Sequence, residues 1–240
     1  MRAIDSKLFV LSAEIDHEVD DYRASVPAIR GAESIAFRTP VTIFIGENGS
    51  GKSTLIEAIA IAAGFNPEGG SKNFLFETVR REVELDPLVR LVRAPRRPSD
   101  GYFLRAESFF NVATEIDRLG VTRGYGGQSL HEQSHGESFM ALLLNRFLGD
   151  GLYVLDEPEA ALSPMRQLSM LARIHDLVRA GLQFIIATHS PILMAYPNAC
   201  IYDFSSKDIE RIAYEDTEHY RITSRFLSTR RQMLEVLLAP

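Results

Sequence analysis

"VTIFIGENGSGKSTLIEAIAIAAGF", residues 41–65, is the stretch on which the fold turns. Its first five residues are a continuous apolar, largely β-branched run. The glycine-rich "GENGSGKST" follows, and then apolar residues at helical spacing that stop at Gly64. The order is strand, loop, helix. The loop fits G-x-x-x-x-G-K-[ST], with Gly46, Gly51, Lys52 and Ser53 in the required places. Glycines let the backbone curl so that successive N–H groups face phosphate oxygens, the lysine reaches the outer phosphates, and the serine hydroxyl ligates Mg²⁺. The candidate nucleotide-binding set is therefore Gly46, Glu47, Asn48, Gly49, Ser50, Gly51, Lys52, Ser53 and Thr54.

On either side the pattern changes. The first forty residues alternate apolar and polar in short pieces ("KLFVLSAEI", "ESIAFR") broken by Pro27 and Gly31, the mark of an antiparallel edge. Downstream, "GLYVLDE" and "LQFIIATHS" are short continuous apolar runs separated by the helical "SPMRQLSMLARIHDLVRAG". Such runs imply strands covered on both faces, hence a mostly parallel α/β sheet with flanking helices. "GYFLRAESFF" reads as another strand with its exit loop, "ACIYDF" as a further strand, and "SRFLSTRRQMLEVLL" as a final helix. Residues 66–101 are rich in Gly, Pro and Arg and read as a mixed insertion within a single domain, with "ETVRREVEL" a weak helix or strand.

Two strand ends carry chemistry. In "LYVLDEP", Asp156 is placed to hold Mg²⁺ and Glu157 to polarise an attacking water, although paired acids at a strand end are alone a weak signal that helix capping also explains. "ATHSP" puts His189 at the end of another parallel strand, where open α/β sheets bind ligands.

"HEQSHGESF", residues 131–139, admits two incompatible readings. As H-E-x-x-H it would hold zinc between His131 and His135 on one helix. As Ser134 followed three residues later by Glu137, ahead of "SFMALLLNRFL", it is a capping box that starts a helix at Ser134 and leaves His131 outside it. Gly124, Gly126, Gly127 and Gly136 favour the second reading, in which Ser134 and Gly136 belong to a turn that offers N–H groups to a phosphate.

With 240 residues, 45% of them hydrophobic, the chain can bury a sizeable core. The single Cys200, set in an apolar run, is expected to be a buried thiol in a reducing compartment. No charged-then-apolar leader opens the sequence and no apolar run approaches the roughly 18 residues of a membrane helix. A cytoplasmic location without direct membrane insertion is the expectation. The net charge of −6 gives no support to nucleic-acid binding. The one basic cluster, Arg90, Arg93, Arg96 and Arg97, reads as a solvated loop or as a docking surface for an acidic partner or a phosphodiester backbone.

These motifs, in this order over residues 35–205, resemble the ABC-class ATPases, and within them the small soluble branch labelled ATP-binding or AAA-family. "GENGSGKST" resembles the Walker A loop, "LYVLDEP" the Walker B strand with its catalytic glutamate, "ALS" at 161–163 the loop that touches the partner, and "THS" the switch histidine. "QSHGE" resembles the L-S-G-G-Q signature, keeping Ser134 and Gly136 but carrying His135 and Glu137 where the family has other residues. The family's glutamine loop has no glutamine here, and Glu107 after "YFLRAE" is the candidate replacement at the metal. The resemblance implies a Mg²⁺-dependent ATP hydrolase that closes head to tail as an ATP-dependent homodimer, with Lys52, Glu157 and His189 catalytic and Ser53, Asp156 and Glu107 around the metal. Ser134 and Gly136 would complete the opposite subunit's site, and hydrolysis would drive a switch for an unidentified protein partner.

Spacing narrows the branch. Only 26 residues separate Glu107 from Ser134, short for the helical subdomain of transporter ATPases and far short of a long coiled coil. The 51 residues after His189 leave no room for an appended nuclease domain. A transporter's ATP-binding subunit and a DNA-repair or phage-defence ATPase stay open as alternatives; a phosphoryl-transfer kinase has no use for Glu157 or the signature-like turn.

Overall fold

The computed structural model describes residues 8–17, 26–30, 32–72, 88–206 and 208–239. In chain order the elements are β1 (Val10–Ile15), α1 (Pro27–Arg30), β2 (Ser34–Ala36), β3 (Val41–Ile45), α2 (Lys52–Ala62), β4 (Gly70–Ser71), β5 (Val89–Arg93) and β6 (Asp100–Arg105). They continue with α3 (Phe109–Leu119), α4 (His135–Asn145), β7 (Gly151–Asp156), α5 (Pro164–Arg179), β8 (Gln183–Ala187), α6 (Pro191–Met194), β9 (Cys200–Asp203), β10 (Glu210–Ile212) and α7 (Glu218–Leu237).

Among the described residues, two sheets form. The larger has the order β10-β9-β3-β8-β7-β6-β4, parallel from β9 to β6 and closed at each edge by one antiparallel strand. The smaller is the antiparallel β2-β1-β5. This is the α/β architecture with an antiparallel N-terminal edge that the sequence pattern implies.

The continuous apolar runs are explained by two cores. On one face of the large sheet Val41, Ile43, Tyr102, Leu104, Tyr153, Leu155, Phe184 and Ile186 pack against α3, α4 and α5. Their alternate neighbours Phe44, Phe103, Leu152, Val154, Ile185 and Ala187 pack on the other face against α2 and the small sheet. Because side chains of a strand alternate between faces, a strand buried on both is apolar at most of its positions. The sheets are tied by the buried Gln183, whose Oε1 accepts the N–H groups of Phe9 (2.8 Å) and Val10 (3.0 Å) while its Nε2 donates to Val10 O (2.9 Å). Phe37 and Phe65 are core residues and Cys200 is buried, whereas Tyr22 and "ETVRREVEL" lie outside the described residues.

Segment 66–101 supplies an edge strand to each sheet, Gly70–Ser71 to the large one and Val89–Arg93 to the small one. Here the structure corrects the sequence reading of the basic cluster. Arg90 and Arg93 lie on a strand, and their charges are used within the chain: Arg90 pairs with Glu14 directly opposite on β1, and Arg93 donates to Ala62 O (2.7 Å). Arg96 pairs with Asp150 and lies over the Phe9 ring, 4.6 Å from its centroid. No helix of the described residues is long and apolar enough to cross a membrane.

Candidate functional site

Parallel pairing in register places the ends of three strands side by side: Phe44 lies beside Ala187, and Asp156 beside Ala187 on the other side. The loops leaving β3, β7 and β8 therefore converge, and each brings its polar residues to the same end of the sheet.

The loop after β3 runs from Gly46 to Gly51. Gly46 has φ 144°, where a Cβ would meet the Phe204 backbone at 3.1 Å, and Gly51 has φ 94° as it caps α2, so neither position accepts a side chain without strain. Lys52 opens α2 and folds back beneath the loop, its Nζ donating to Gly46 O (2.7 Å) and Glu47 O (2.9 Å) with Ser50 Oγ at 3.5 Å. Burial lowers its pKa, against the opposing pull of Glu157, Asp156, Asp203 and Glu159.

Ser53, one residue on, donates to Asp156 Oδ1 at 3.2 Å. Asp156 is 4% exposed; burial pushes its carboxyl up to about 6, with Arg105 and the Ser53 hydrogen bond opposing and Glu157 and Glu107 adding to the rise. Two hard oxygen donors, one a carboxylate short of compensating charge, fit Mg²⁺, a cation held by few protein ligands together with substrate phosphates. When bound, Mg²⁺ would neutralise charge on the phosphoryl oxygens.

Glu157 takes φ 50° and ψ 49°, the left-handed region that a non-glycine residue enters at a cost of roughly 1–3 kcal/mol. Its N–H is tied to Ala187 O (3.0 Å), and its carboxylate, 42% exposed, stands 3.6 Å from His189 Nε2. The His189 backbone N–H donates to Glu159 Oε1 at 2.5 Å, and the neighbouring Ser190 hydroxyl donates to Gln167 Oε1 at 2.5 Å. Burial lowers the His189 pKa, Lys52 adds to the drop and Glu157 opposes it. Burial and Lys52 thus favour the neutral imidazole.

Lys52, Ser53, Asp156, Glu157 and His189 form one cluster. Glu107 reaches its rim only through Arg105, whose Nη2 lies 3.5 Å from it, and the Glu107 side chain is 83% exposed. Arg105 itself bridges Glu57 (2.9 Å) and Asp156 (3.7 Å). Ser134 and Gly136 stand apart from this cluster. The Ser134 backbone N–H donates to Glu137 Oε2 (3.0 Å), its hydroxyl donates to the same oxygen (2.5 Å), and its carbonyl accepts from Glu137 and Ser138 within the same turn. Gly136 is buried, with Ala161 O 2.8 Å from where a Cβ would lie and Arg166 also in the way, so "ALS" and the turn pack together in one chain. The two histidines of the zinc reading occupy different elements. His131 lies in the 3₁₀ turn Leu130–Glu132, hydrogen-bonded to Thr114 (3.0 Å) and packed on Phe110, while His135 begins α4 beside Phe109.

Three site residues escaped sequence reasoning: Arg105, Glu159 and His219. Glu159 had a signal, a third acid two residues beyond the pair. Arg105 and His219 had none, because sheet order brings in the first and the packing of α7 against α6 the second.

The chain matches a family model described as "AAA domain" over residues 25–114 and one described as "AAA domain, putative AbiEii toxin, Type IV TA system" over residues 118–195. It is 23% identical over 197 residues to "Xylose/arabinose import ATP-binding protein XylG" of Sulfolobus acidocaldarius, covering 73% of this chain and 78% of that one. It is 24% identical over 190 residues to "Energy-coupling factor transporter ATP-binding protein EcfA" of Methanothermobacter thermautotrophicus, covering 70% and 60%. Among solved structures, cbiO1 from Clostridium perfringens, part of the ABC transporter complex cbiONQ, superposes with a TM-score of 0.54 at 16% identity over 94% of this chain and 97% of that one. A glycine loop closed around a buried lysine, an acid pair and a histidine on adjacent parallel strands, and these matches along most of the chain have one common explanation: an ABC-type P-loop ATPase domain, similar to ABC transporter ATP-binding subunits.

Proposed function

We propose that the chain is a Mg²⁺-dependent switch in which two copies close head to tail on two ATP molecules and reopen on hydrolysis. The loop amides and Lys52 bind the phosphates, Ser53 and Asp156 hold the metal, Glu157 accepts a proton from the attacking water, and His189 contacts the γ-phosphate. Ser134 and Gly136 of each chain complete the other chain's site. The observation that carries this reading is the position of Ser134. Ser134 is exposed and gives its N–H and hydroxyl to Glu137 of its own helix, which in turn pairs with Arg166 (3.3 Å), whereas Lys52, Ser53, Asp156, Glu157 and His189 cluster at the β3, β7 and β8 ends. Its exposed side suits a nucleotide held by a second copy.

The test mixes two inactive proteins. Lys52→Ala removes the phosphate loop and Ser134→Arg blocks the turn, and each alone should be nearly inactive. A mixed dimer pairs the intact loop of one with the intact turn of the other, leaving one whole site, and should recover up to about half of wild-type turnover if sites fire independently. No recovery in mixed dimers shown to form in ATP overturns composite, independent sites.

A second reading, the ATP-binding subunit of a transporter, follows from the names of the relatives above. Against it stands the short interval before Ser134, whose only α-helix is the 11-residue α3. Co-purification with a membrane protein would favour the transporter reading, and DNA-stimulated turnover a repair or defence role.

A further inference from the structure

The first turn of α7 is fixed to the segment that carries the switch histidine. Thr217, fully buried, caps α7 by accepting the Tyr220 N–H (3.3 Å) and donates its hydroxyl to Tyr214 O (2.7 Å). The Tyr214 hydroxyl donates in turn to Pro191 O (3.0 Å), and its ring packs on Tyr220 with centroids 4.8 Å apart. Pro191 lies two residues past His189. This mount sets His219 Nε2 at 3.4 Å from His189 Nδ1, with ring centroids 5.6 Å apart. The outward nitrogens, His189 Nε2 and His219 Nδ1, are buried without a hydrogen-bond partner.

A neutral imidazole carries one N–H, and which nitrogen bears it is decided by the hydrogen bond at the other. To meet an anionic phosphoryl oxygen, His189 must carry its proton on Nε2, because an Nε2 lone pair would repel it. That leaves Nδ1 as an acceptor that needs a donor. The groups facing the pair favour two neutral rings. Burial lowers the pKa of His189, with Lys52 adding to the drop and Glu157 opposing. Burial also lowers that of His219, helped by His189 and Lys52 and opposed by Glu218 and Asp203.

We propose that His219 is a positioning residue for ATP hydrolysis: its Nε2–H donates to His189 Nδ1 and holds the His189 proton on Nε2, facing the γ-phosphate. The proposal rests on the reading of His189 as the γ-phosphate contact, and it makes the start of the C-terminal helix part of the catalytic apparatus. Through this contact a partner that displaced α7 would change turnover without touching ATP.

The test reads the tautomer and the kinetics separately. In imidazole-¹⁵N-labelled protein at pH 8, two-bond ¹H–¹⁵N correlations, with His189 assigned from a His189→Gln spectrum, should show the Nε2–H form in wild type. In His219→Phe, His189 should shift toward Nδ1–H or a mixture. Kinetically, His219→Phe should lower kcat about tenfold, the loss typical when an outer hydrogen bond to a working histidine is removed, with KM for ATP changed less than about twofold. His219→Gln, whose carboxamide N–H can donate to Nδ1, should keep most of the activity. A wild-type His189 in the Nδ1–H form, an unchanged tautomer in His219→Phe, or equal losses in the Phe and Gln variants would each overturn the proposal. The spectra need no nucleotide, so they decide the hydrogen bond even if the γ-phosphate role of His189 falls.

Discussion

Asp100 and Asp156 stand at opposite ends of one parallel strand pair, the first where β6 pairs with the start of β7 and the second where β7 ends beside Arg105. Burial works against the charge of both. At Asp100 it is overcome: Arg146 donates two hydrogen bonds (2.7 and 2.9 Å), Tyr153 a third (2.9 Å), the Gly101 backbone helps, and the carboxyl lies below its ordinary value. At Asp156 it wins, because Arg105 is 3.7 Å away and shared with two glutamates, and the carboxyl rises to about 6. One strand pair thus ends in a closed ion-pair network and in a carboxylate left short of positive charge. If Asp156 holds Mg²⁺ as proposed, the difference separates a charge that supports the fold from one kept for a cation, and burial alone does not distinguish them.

The comparison is sharpened most by Glu157→Gln, which should bind ATP yet turn over at least about 100-fold more slowly, as for loss of a positioned base. Near-normal steady-state turnover in the purified variant would move the chemistry off this end of the sheet.

The same isosteric change at the two aspartates should then have opposite signs. Asp100→Asn leaves the half-buried Arg146 without its counter-charge and should destabilise the protein by about 2–3 kcal/mol in urea titrations at pH 8. An acid with a depressed folded pKa contributes stability above its unfolded value and loses it as pH falls through the folded one, so the deficit should shrink below about pH 4. Asp156→Asn should stabilise the Mg²⁺- and nucleotide-free protein by about 1–2 kcal/mol at pH 8 while abolishing Mg²⁺-dependent turnover. Here the folded pKa is raised: the wild type is most stable relative to the variant below the unfolded value, and it loses that ground as pH climbs through about 6. If both substitutions destabilise alike, the two ends do not differ in kind.

The smallest effect is expected at Thr217→Ala, which removes the α7 cap and should cost about 1 kcal/mol by thermal unfolding. A larger fall in kcat than in stability would show that the cap also serves His189.

What the sequence disclosed followed its local rules. "VTIFI" before "GENGSGKST" and the uninterrupted "LYVLD" and "FIIA" are one-dimensional signals for strands covered on both faces, and Ser134 with Glu137 is a cap that forms between near neighbours. What stayed hidden depends on which strands become neighbours. β9 inserts beside β3 from some 160 residues away, and nothing in "ACIYDF" states that pairing. Arg105 becomes part of the site because β6 lies beside β7, and His219 because α7 starts against α6. The arginines of "VRLVR" looked like a basic loop because their partners, Glu14 and the Ala62 carbonyl, lie far away in sequence.

The left-handed backbone at Glu157 sets a limit on how this protein could be improved. Glycine and asparagine occupy that conformation more readily than glutamate does, so a laboratory selection for heat resistance alone would be drawn to position 157. If Glu157 is the base proposed above, the variants it returned would be hardier and catalytically dead. Selection for robustness and selection for turnover therefore pull this one residue in opposite directions, and any thermostable descendant that still hydrolyses ATP must gain its stability elsewhere in the chain.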